Sequence, residues 1–343
     1  MESVTEPPVS VSVLIPVKDR LGSLREAVAS VLRQSLRPAE IIIVDDGSAL
    51  PVVSSVETID GIRIRVLTNP VNIGGAASYN RALGEATGDI VAFLDSDDYW
   101  GSEYLREVVA LWSGMDASNA GVATGLYWCT DSLTPYRTQI AAPRVTYADL
   151  IRNGNCVGGN SVISVRRSQF LAVGGFPKIR ASYDWGGLLR IATLGDIAVV
   201  QKPLVFYRSP SSSALSNYTR SYRRQILAKA ELTRMMPEAD RRALRRLFRD
   251  YAAFALANTK HRRMSRRLLL SAIRNDRKLT GLTLRALILN LVGNRTYTAL
   301  LRQLARLRTR RFKGPIDGSP LAAEDSAAAD FLAERDPTGP GNG

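Results

Sequence analysis

The sequence has few of the residues that form disulfides and zinc sites. Among its 343 residues are two cysteines, Cys129 and Cys156, and one histidine, His261. Two cysteines exclude a disulfide framework, and with one histidine they are too few for a zinc site of four Cys and His ligands. Long apolar runs are also missing, because no 18 consecutive residues are apolar. We therefore expect no transmembrane helix and, since residues 1–10 lack basic and apolar segments, no signal peptide.

Acidic side chains are scarce in one part of the chain. Residues 220–313 carry 26 Lys and Arg but 5 Asp and Glu, whereas residues 1–219 carry 19 and 21, and residues 314–343 carry 1 and 6. This change in charge predicts three parts: a main domain over 1–219, a basic helical extension over 220–313 and a disordered acidic tail over 314–343. The composition, 45% hydrophobic and 23% charged, is typical of a globular protein.

Short apolar segments alternate with helical segments in the main domain. Residues 11–17, 40–44, 62–67 and 89–94 are apolar, rich in β-branched residues and followed by turn residues, which predicts buried strands. Two segments between them, residues 24–36 and 76–86, are predicted to be helices. The alternation predicts an α/β fold with a mostly parallel sheet flanked by helices.

Acidic residues follow two of these strands. Asp45 and Asp46 come after the second strand, and Asp95, Asp97 and Asp98 come after the fourth. Open α/β sheets bind ligands at the carboxyl ends of their strands, so we expect both groups to face one cleft. Carboxylates that share a cleft repel each other, and a cation between them offsets this repulsion.

The segment Asp95-Ser96-Asp97 is an acid-x-acid motif. Oxygen ligands without sulfur or imidazole suit Mg²⁺ or Mn²⁺, and Mg²⁺ usually combines one or two carboxylates with substrate phosphates. Taken alone, the motif is equally typical of a turn or a helix N-cap.

Several segments together resemble glycosyltransferase family 2, the nucleotide-sugar transferases with the GT-A fold. In chain order they are VSVLIPVKDR, EIIIVDDGS, NIGGAASYNRALGEATGDIVAFLDSDD, GGNSVISVRRSQFLAVGGF and YDWGGLLRIA. Their order and spacing agree with the family over roughly residues 9–210. The resemblance implies an enzyme with a Rossmann-like sheet that transfers a sugar from a nucleotide sugar, most readily a UDP-sugar, with inversion at the anomeric carbon.

The resemblance also implies a donor site at the strand ends. Its nucleotide-sugar residues would be Pro16, Lys18, Asp46, Asn72, Asp95 and Ser96. Asp46 would hydrogen-bond the base, and Asp95 would lie near the ribose. Asp97 would bind a divalent metal, Mn²⁺ or Mg²⁺, which would assist departure of the diphosphate.

On the acceptor side, the resemblance makes Asp184 the catalytic base, which would take the proton of the attacking hydroxyl. Gly159 and Asn160 would belong to the acceptor loop, and Trp185 would form an aromatic wall for the sugar. Other interpretations remain open from the sequence. Asp184 is also typical of a helix N-cap, here for a helix over 185–193, and Trp185 is equally typical of a core residue.

The sequence departs from the family at three points. Val17-Lys18-Asp19 stands where the family often has an aromatic residue followed by Asn, and Tyr183 stands before Asp184 in place of Glu. The Gln-x-x-Arg-Trp motif of processive synthases is absent. This absence favours transfer of a single sugar over polymerisation. The setting that we expect for the reaction is cell-envelope or polysaccharide assembly.

The extension combines charge with apolar stripes. Leu244, Leu247 and Phe248 share one helical face, opposite Arg245 and Arg249. Basic amphipathic helices are typical of anionic membrane surfaces, which predicts a cytoplasmic or peripheral membrane protein with a glycan or lipid-linked acceptor. An ordinary helical subdomain is equally consistent, and nucleic acid is less favoured because no binding motif accompanies the charge.

A second hypothesis is an inactive protein of the same fold that docks to membrane or nucleic acid through residues 220–313. The sequence contains Asp46, Asp95, Asp97 and Asp184 together. This favours the enzyme, because a protein without catalytic activity would not need all four acids.

Overall fold

A computed structural model describes residues 9–52, 56–115, 119–179, 181–208, 230–257, 262–275 and 283–291. Its centre is an eleven-stranded sheet. The strands are β1 (Val11–Val17), β2 (Glu40–Asp45), β3 (Val56–Ile59), β4 (Ile62–Thr68), β5 (Ile90–Phe93), β6 (Tyr99–Trp100), β7 (Asn119–Cys129), β8 (Pro135–Gln139), β9 (Arg144–Val145), β10 (Ile163–Arg166) and β11 (Asp196–Arg208). The main-domain helices are α1 (Leu21–Leu32), α2 (Gly75–Glu85), α3 (Tyr104–Ser113), α4 (Tyr147–Asn153), α5 (Arg167–Ala172) and α6 (Tyr183–Ala192).

The N-terminal half of the sheet is parallel, as the sequence predicts. Strands β4, β2, β1 and β5 lie side by side in that order, and each neighbouring pair is parallel. Every residue of β2 and β5 is buried, which explains why these strands are continuous apolar runs in the sequence.

The other half makes the sheet mixed. Strand β10 pairs antiparallel with both β5 and β7, and β7 then pairs parallel with β11. Short strands β6, β8 and β9 add antiparallel pairs at the edges. The mixed order brings the end of β11 close to the acidic residues that follow β5, since Arg208 N donates to Asp98 Oδ1 over 2.9 Å.

Helices of the basic extension pack on the main domain. Helix α7 (Glu238–Ala257) contributes Leu244 to the same core as the sheet, and the preceding segment over 230–236 contributes Leu232 and Met236. The Tyr147 hydroxyl of α4 donates to Asp240 over 2.8 Å. Helix α7 is therefore attached to the main domain by apolar and polar contacts.

Helix α8 (Arg262–Asn275) packs on α7 through Leu269 and Ala253, and a helical segment over 283–291 adds Ala286 to the same small apolar cluster. None of the helices in the described parts of the chain is long and apolar enough to cross a membrane. The boundaries at 219 and 313 and the acidic tail lie outside the described residues and stay predictions.

Candidate active site

A cleft of about 550 Å³ lies at the carboxyl ends of β1, β2 and β5. The sequence-predicted donor residues all line it: Pro16, Lys18, Asp46, Asn72, Asp95, Ser96 and Asp97. Residues that are up to about 80 positions apart in the chain therefore share one surface, as expected for ligand sites of open α/β sheets.

Asp46 organises the loop on one side of the cleft. Its Oδ1 accepts from Asn69 Nδ2 and the Ile73 amide over 2.9 and 2.8 Å, and its Oδ2 accepts from the Gly74 amide over 2.8 Å. Next to it, Gly47 has a φ of 68°, and a Cβ there would lie 2.8 Å from the Asn72 backbone nitrogen. The buried carboxylate thus fixes residues 69–74, and its contact with a base stays a prediction.

Residues 18–20 form the neighbouring wall. Asp19 has a φ of 52°, and it is held by hydrogen bonds from the Ala49 amide to Oδ1, 2.7 Å, and from its own amide to Ser48 Oγ, 2.9 Å. The hydrogen bond from the Ala49 amide and the Lys18 ammonium lower the pKa of the Asp19 carboxyl. The Lys18 ammonium also donates to the Gly47 carbonyl over 2.8 Å. The wall is therefore fixed to the turn that follows β2.

Two acids after β5 are held inside the cleft wall. Asp95 accepts from the Tyr79 hydroxyl over 2.9 Å and from Asn160 Nδ2 over 3.2 Å. Burial, with the charge of Asp97, raises the pKa of Asp95 to about 6. Asp98 is buried and accepts from Ser161 Oγ, and burial raises the pKa of its carboxyl as well. The two carboxyls are positioned by hydrogen bonds from neighbouring side chains.

Asp97 differs from these two acids because its side chain is 34% exposed. Its Oδ2 pairs with the Arg20 guanidinium, with 2.5 Å between Oδ2 and Nη1. Arg20 is not among the site residues predicted from the sequence. Its position at the start of α1, directly after Lys18 and Asp19, is the one signal that could have identified it.

The donor atoms in this cleft suit a hard divalent cation, since they are carboxylate and hydroxyl oxygens at Asp95, Ser96 and Asp97. Within the described residues no group of three Asp, Glu, His or Cys side chains is arranged to hold a metal. A cation would therefore need one or two of these carboxylates together with the phosphates of a bound donor. Burial and then the charge of Asp97 raise the pKa of Asp95, and a bound cation would offset both effects.

Asp184 lies in the first turn of α6, next to the cleft. Its Oδ2 accepts from Asn155 Nδ2 over 2.8 Å, and the same amide group donates to the Gly158 carbonyl. After burial and the charge of Asp97, the charge of Asp184 also contributes to the raised pKa of Asp95. Its neighbour Tyr183 lines the cleft.

The structure decides the alternatives that the sequence left open on the acceptor side. The residue before α6 is Ser182, so Asp184 lies within the helix and does not cap it. Trp185 is 3% exposed and packs edge-on against Phe248 of α7, with 5.2 Å between ring centroids. The prediction of an aromatic wall at Trp185 is therefore wrong, because its ring is buried in the core.

Gly159 and Asn160 lie against the donor cleft. A Cβ on Gly159 would be 2.7 Å from the ring of Tyr207, which lines the cleft. Asn160 is 5% exposed, and its side-chain amide donates a hydrogen bond to Asp95. Asn160 therefore positions a donor-side acid, and an acceptor contact by Gly159 stays a prediction.

Asn80 holds the loop that leads into α6. Its Nδ2 donates to the Phe176 carbonyl and its Oδ1 accepts from the Phe176 amide, both over 2.8 Å. Gly175, with a φ of 61°, leaves room for this contact, since a Cβ there would lie 2.3 Å from Asn80 Oδ1.

We expect Asn80→Ala to lower the free energy of unfolding by about 2 kcal/mol, because it leaves both backbone groups of buried Phe176 without their partner. Urea unfolding measures this change. Asn153→Ala, at an exposed position, is the control and should change stability by less than about 0.5 kcal/mol. Equal stability of the two variants would contradict the assignment.

Comparisons with known proteins agree with this geometry. The model of glycosyl transferase family 2 matches residues 12–170. Over 230 residues, 66% of this chain and 89% of the relative, the chain is 32% identical to TuaG of Bacillus subtilis (strain 168), a glycosyltransferase assigned to teichuronic acid biosynthesis. It is 28% identical, over 63% of this chain and 83% of the relative, to the UDP-Glc:alpha-D-GlcNAc-diphosphoundecaprenol beta-1,3-glucosyltransferase WfgD of Escherichia coli.

Solved structures with the same fold include two ligand complexes. The mannosyltransferase PcManGT from Pyrobaculum calidifontis, in complex with GDP-Man and Mn²⁺, gives a TM-score of 0.53 over 90% of each chain. S. aureus TarS 1–349 in complex with UDP-GlcNAc gives 0.51 over 86% of this chain and 92% of that chain. Both are 17% identical in sequence, so they establish the fold alone.

Proposed function

The chain belongs to glycosyltransferase family 2, and on that basis we propose that it transfers a single sugar from a UDP-sugar to an acceptor hydroxyl during cell-envelope glycan assembly. The observation that carries the proposal is the convergence of Asp46, Asp95 and Asp97 on one cleft at the carboxyl ends of the strands, with Asp184 in the first turn of a helix whose first residue, Tyr183, lines the same cleft. The relatives support the envelope setting, since one is assigned to teichuronic acid and another acts on a diphosphoundecaprenol acceptor.

Each side of the site has its own task in the reaction. Asp184 takes the proton of the acceptor hydroxyl as that oxygen attacks the anomeric carbon. The diphosphate leaves on the opposite face, so a single displacement inverts the configuration. A divalent cation at Asp97 would neutralise the charge that grows on the diphosphate. The fixed wall of residues 18–20 and the loop over 69–74 hold the nucleotide.

The class of nucleotide is tested by calorimetric titration of UDP, GDP and CDP into the full chain with Mn²⁺ present. We expect UDP to bind more tightly than the other two. Tighter binding of GDP would change the donor class but keep the transferase, whereas binding of none of the three would favour an inactive protein of this fold.

We further propose that the enzyme works at an anionic membrane surface. Helix α8 buries Ser265, Leu269 and Ala272, and an outward face remains. That face combines exposed arginines with exposed apolar side chains: Arg263, Arg266, Arg267, Leu270, Ile273 and Arg274. Leu270 and Ile273 are 53% and 47% exposed. Apolar side chains among arginines are typical of helices that lie on membranes.

We expect the full chain to bind vesicles that contain anionic lipid, with less binding at high salt, because each basic residue near such a surface contributes roughly 1 kcal/mol. A triple variant, Arg263→Ala, Arg267→Ala and Arg274→Ala, should bind much less in a sedimentation assay. The control neutralises three exposed main-domain arginines, Arg37, Arg63 and Arg152, and should bind as the wild type does. If vesicle binding fell equally in both variants, this face of α8 would not be the membrane contact.

A further inference from the structure

The ion pair between Arg20 and Asp97 lies where the proposed reaction needs a free carboxylate. The two side chains are 54% and 34% exposed, come from positions 77 residues apart, and both line the cleft. A guanidinium on Asp97 Oδ2 and a divalent cation on the same oxygen exclude each other by charge and by volume.

Helix stability gives no reason for an arginine at this position. Arg20 is the N-cap of α1, and its side chain makes no capping hydrogen bond. Ser, Thr, Asp and Asn are the residues favoured there, and the helix macrodipole disfavours a positive charge at this end. The position of Arg20 is instead fixed by the wall next to it, in which Asp19 is bound to Ala49 and Ser48.

The charges that line the cleft show what Arg20 could do when released from Asp97. Four carboxylates line it, Asp19, Asp46, Asp95 and Asp97, against two cationic side chains, Lys18 and Arg20. Lys18 is already engaged by Asp19 and the Gly47 carbonyl. A diphosphate that enters this negative cleft therefore needs added positive charge, and Arg guanidinium is well suited to phosphate oxygens.

We propose that Arg20 is a positioning residue that couples metal and donor binding: it occupies Asp97 in the empty cleft and moves to the donor diphosphate when a divalent cation takes that carboxylate. The inference rests on the proposed function. An ion pair this exposed is weak, so the exchange is readily reversible. Its consequence is that metal alone binds poorly, while metal and nucleotide bind well together.

The test measures Mn²⁺ binding to the full chain by electron paramagnetic resonance, with and without UDP. Without UDP, Arg20→Ala should bind Mn²⁺ about two- to fivefold more tightly than wild type, since the competing guanidinium is gone. With Mn²⁺ saturating, the same variant should bind UDP about tenfold more weakly, because a charge-assisted hydrogen bond to phosphate is lost. The two effects have opposite signs, which a general loss of structure would not produce.

Two further variants make the result specific. Arg37→Ala removes an arginine from another exposed Arg–Asp pair, with Asp60, and should leave both affinities unchanged. In the double variant Arg20→Ala/Asp97→Asn, the gain in Mn²⁺ affinity should disappear, because the carboxylate that Arg20 covers is absent.

Unchanged or weaker Mn²⁺ binding by Arg20→Ala, while wild type binds Mn²⁺ and UDP together, would overturn the exchange but keep the proposed function. A gain in Mn²⁺ affinity that persists without Asp97 would also overturn it. Failure of wild type to bind Mn²⁺ even with UDP would overturn the metal-dependent function and the exchange together.

Discussion

Asp184→Asn is expected to lower kcat by about 10²–10⁴-fold, because the variant has no carboxylate to accept the proton of the acceptor hydroxyl. Its amide oxygen can still accept from Asn155 Nδ2, the contact that holds Asp184 in the structure. Donor affinity should change little, since the predicted donor residues at positions 16, 18, 46, 72 and 95–97 line the cleft and Asp184 lies outside its lining.

Steady-state kinetics and UDP titration on the same preparation measure both effects. Asp131→Asn, at an exposed position, is the matched control and should keep wild-type kcat. A near wild-type rate for Asp184→Asn would assign the base to another residue. Loss of donor binding would instead assign Asp184 to the nucleotide site.

Asp97→Asn is expected to reduce transfer by about 10³-fold or more, because stabilisation of a leaving diphosphate by a metal is worth several kcal/mol. The side chain is partly exposed and its partner is an exposed arginine, so the fold should survive. Chelation of the metal by EDTA should reduce the wild-type rate to a similar level and should have little further effect on the variant.

The matched control for this change is Asp60→Asn, which removes the carboxylate of another exposed pair, that with Arg37 over 3.4 Å. Its transfer rate should equal that of wild type. Full activity of Asp97→Asn, or of wild type in EDTA, would remove metal-assisted departure from the account.

The sequence predicted the parallel half of the sheet well because β1, β2 and β5 are buried on both faces and therefore form continuous apolar runs. Strand β1 has the predicted bounds, and β2 and β4 each extend one residue further. Strand β7 gave no such signal, since Gly121 and Gly125 interrupt its apolar pattern. Helix α1 ends at Leu32, before the predicted end at residue 36, and Leu36 packs against the core from the following loop.

The donor side of the site was predictable because its residues follow strands, whose carboxyl ends meet in this fold. The contacts that position them were not, because they join distant segments. Arg20 pairs with Asp97, which lies 77 positions further along the chain. Asn160 donates to Asp95, which lies 65 positions before it. Trp185 shows the same limit, since the helix that buries it, α7, lies more than 50 residues further along the chain.

Release of nucleotide from a UDP-sugar, followed over time with Mn²⁺ and with EDTA, tests the central claim most directly. We expect wild type to release UDP from at least one sugar donor with Mn²⁺, and Asp97→Asn and Asp184→Asn to release it at least about a hundredfold more slowly. The account would be contradicted by release that is equal in wild type and both variants, or by no release from any donor in a panel of nucleotide sugars with acceptor lipids present.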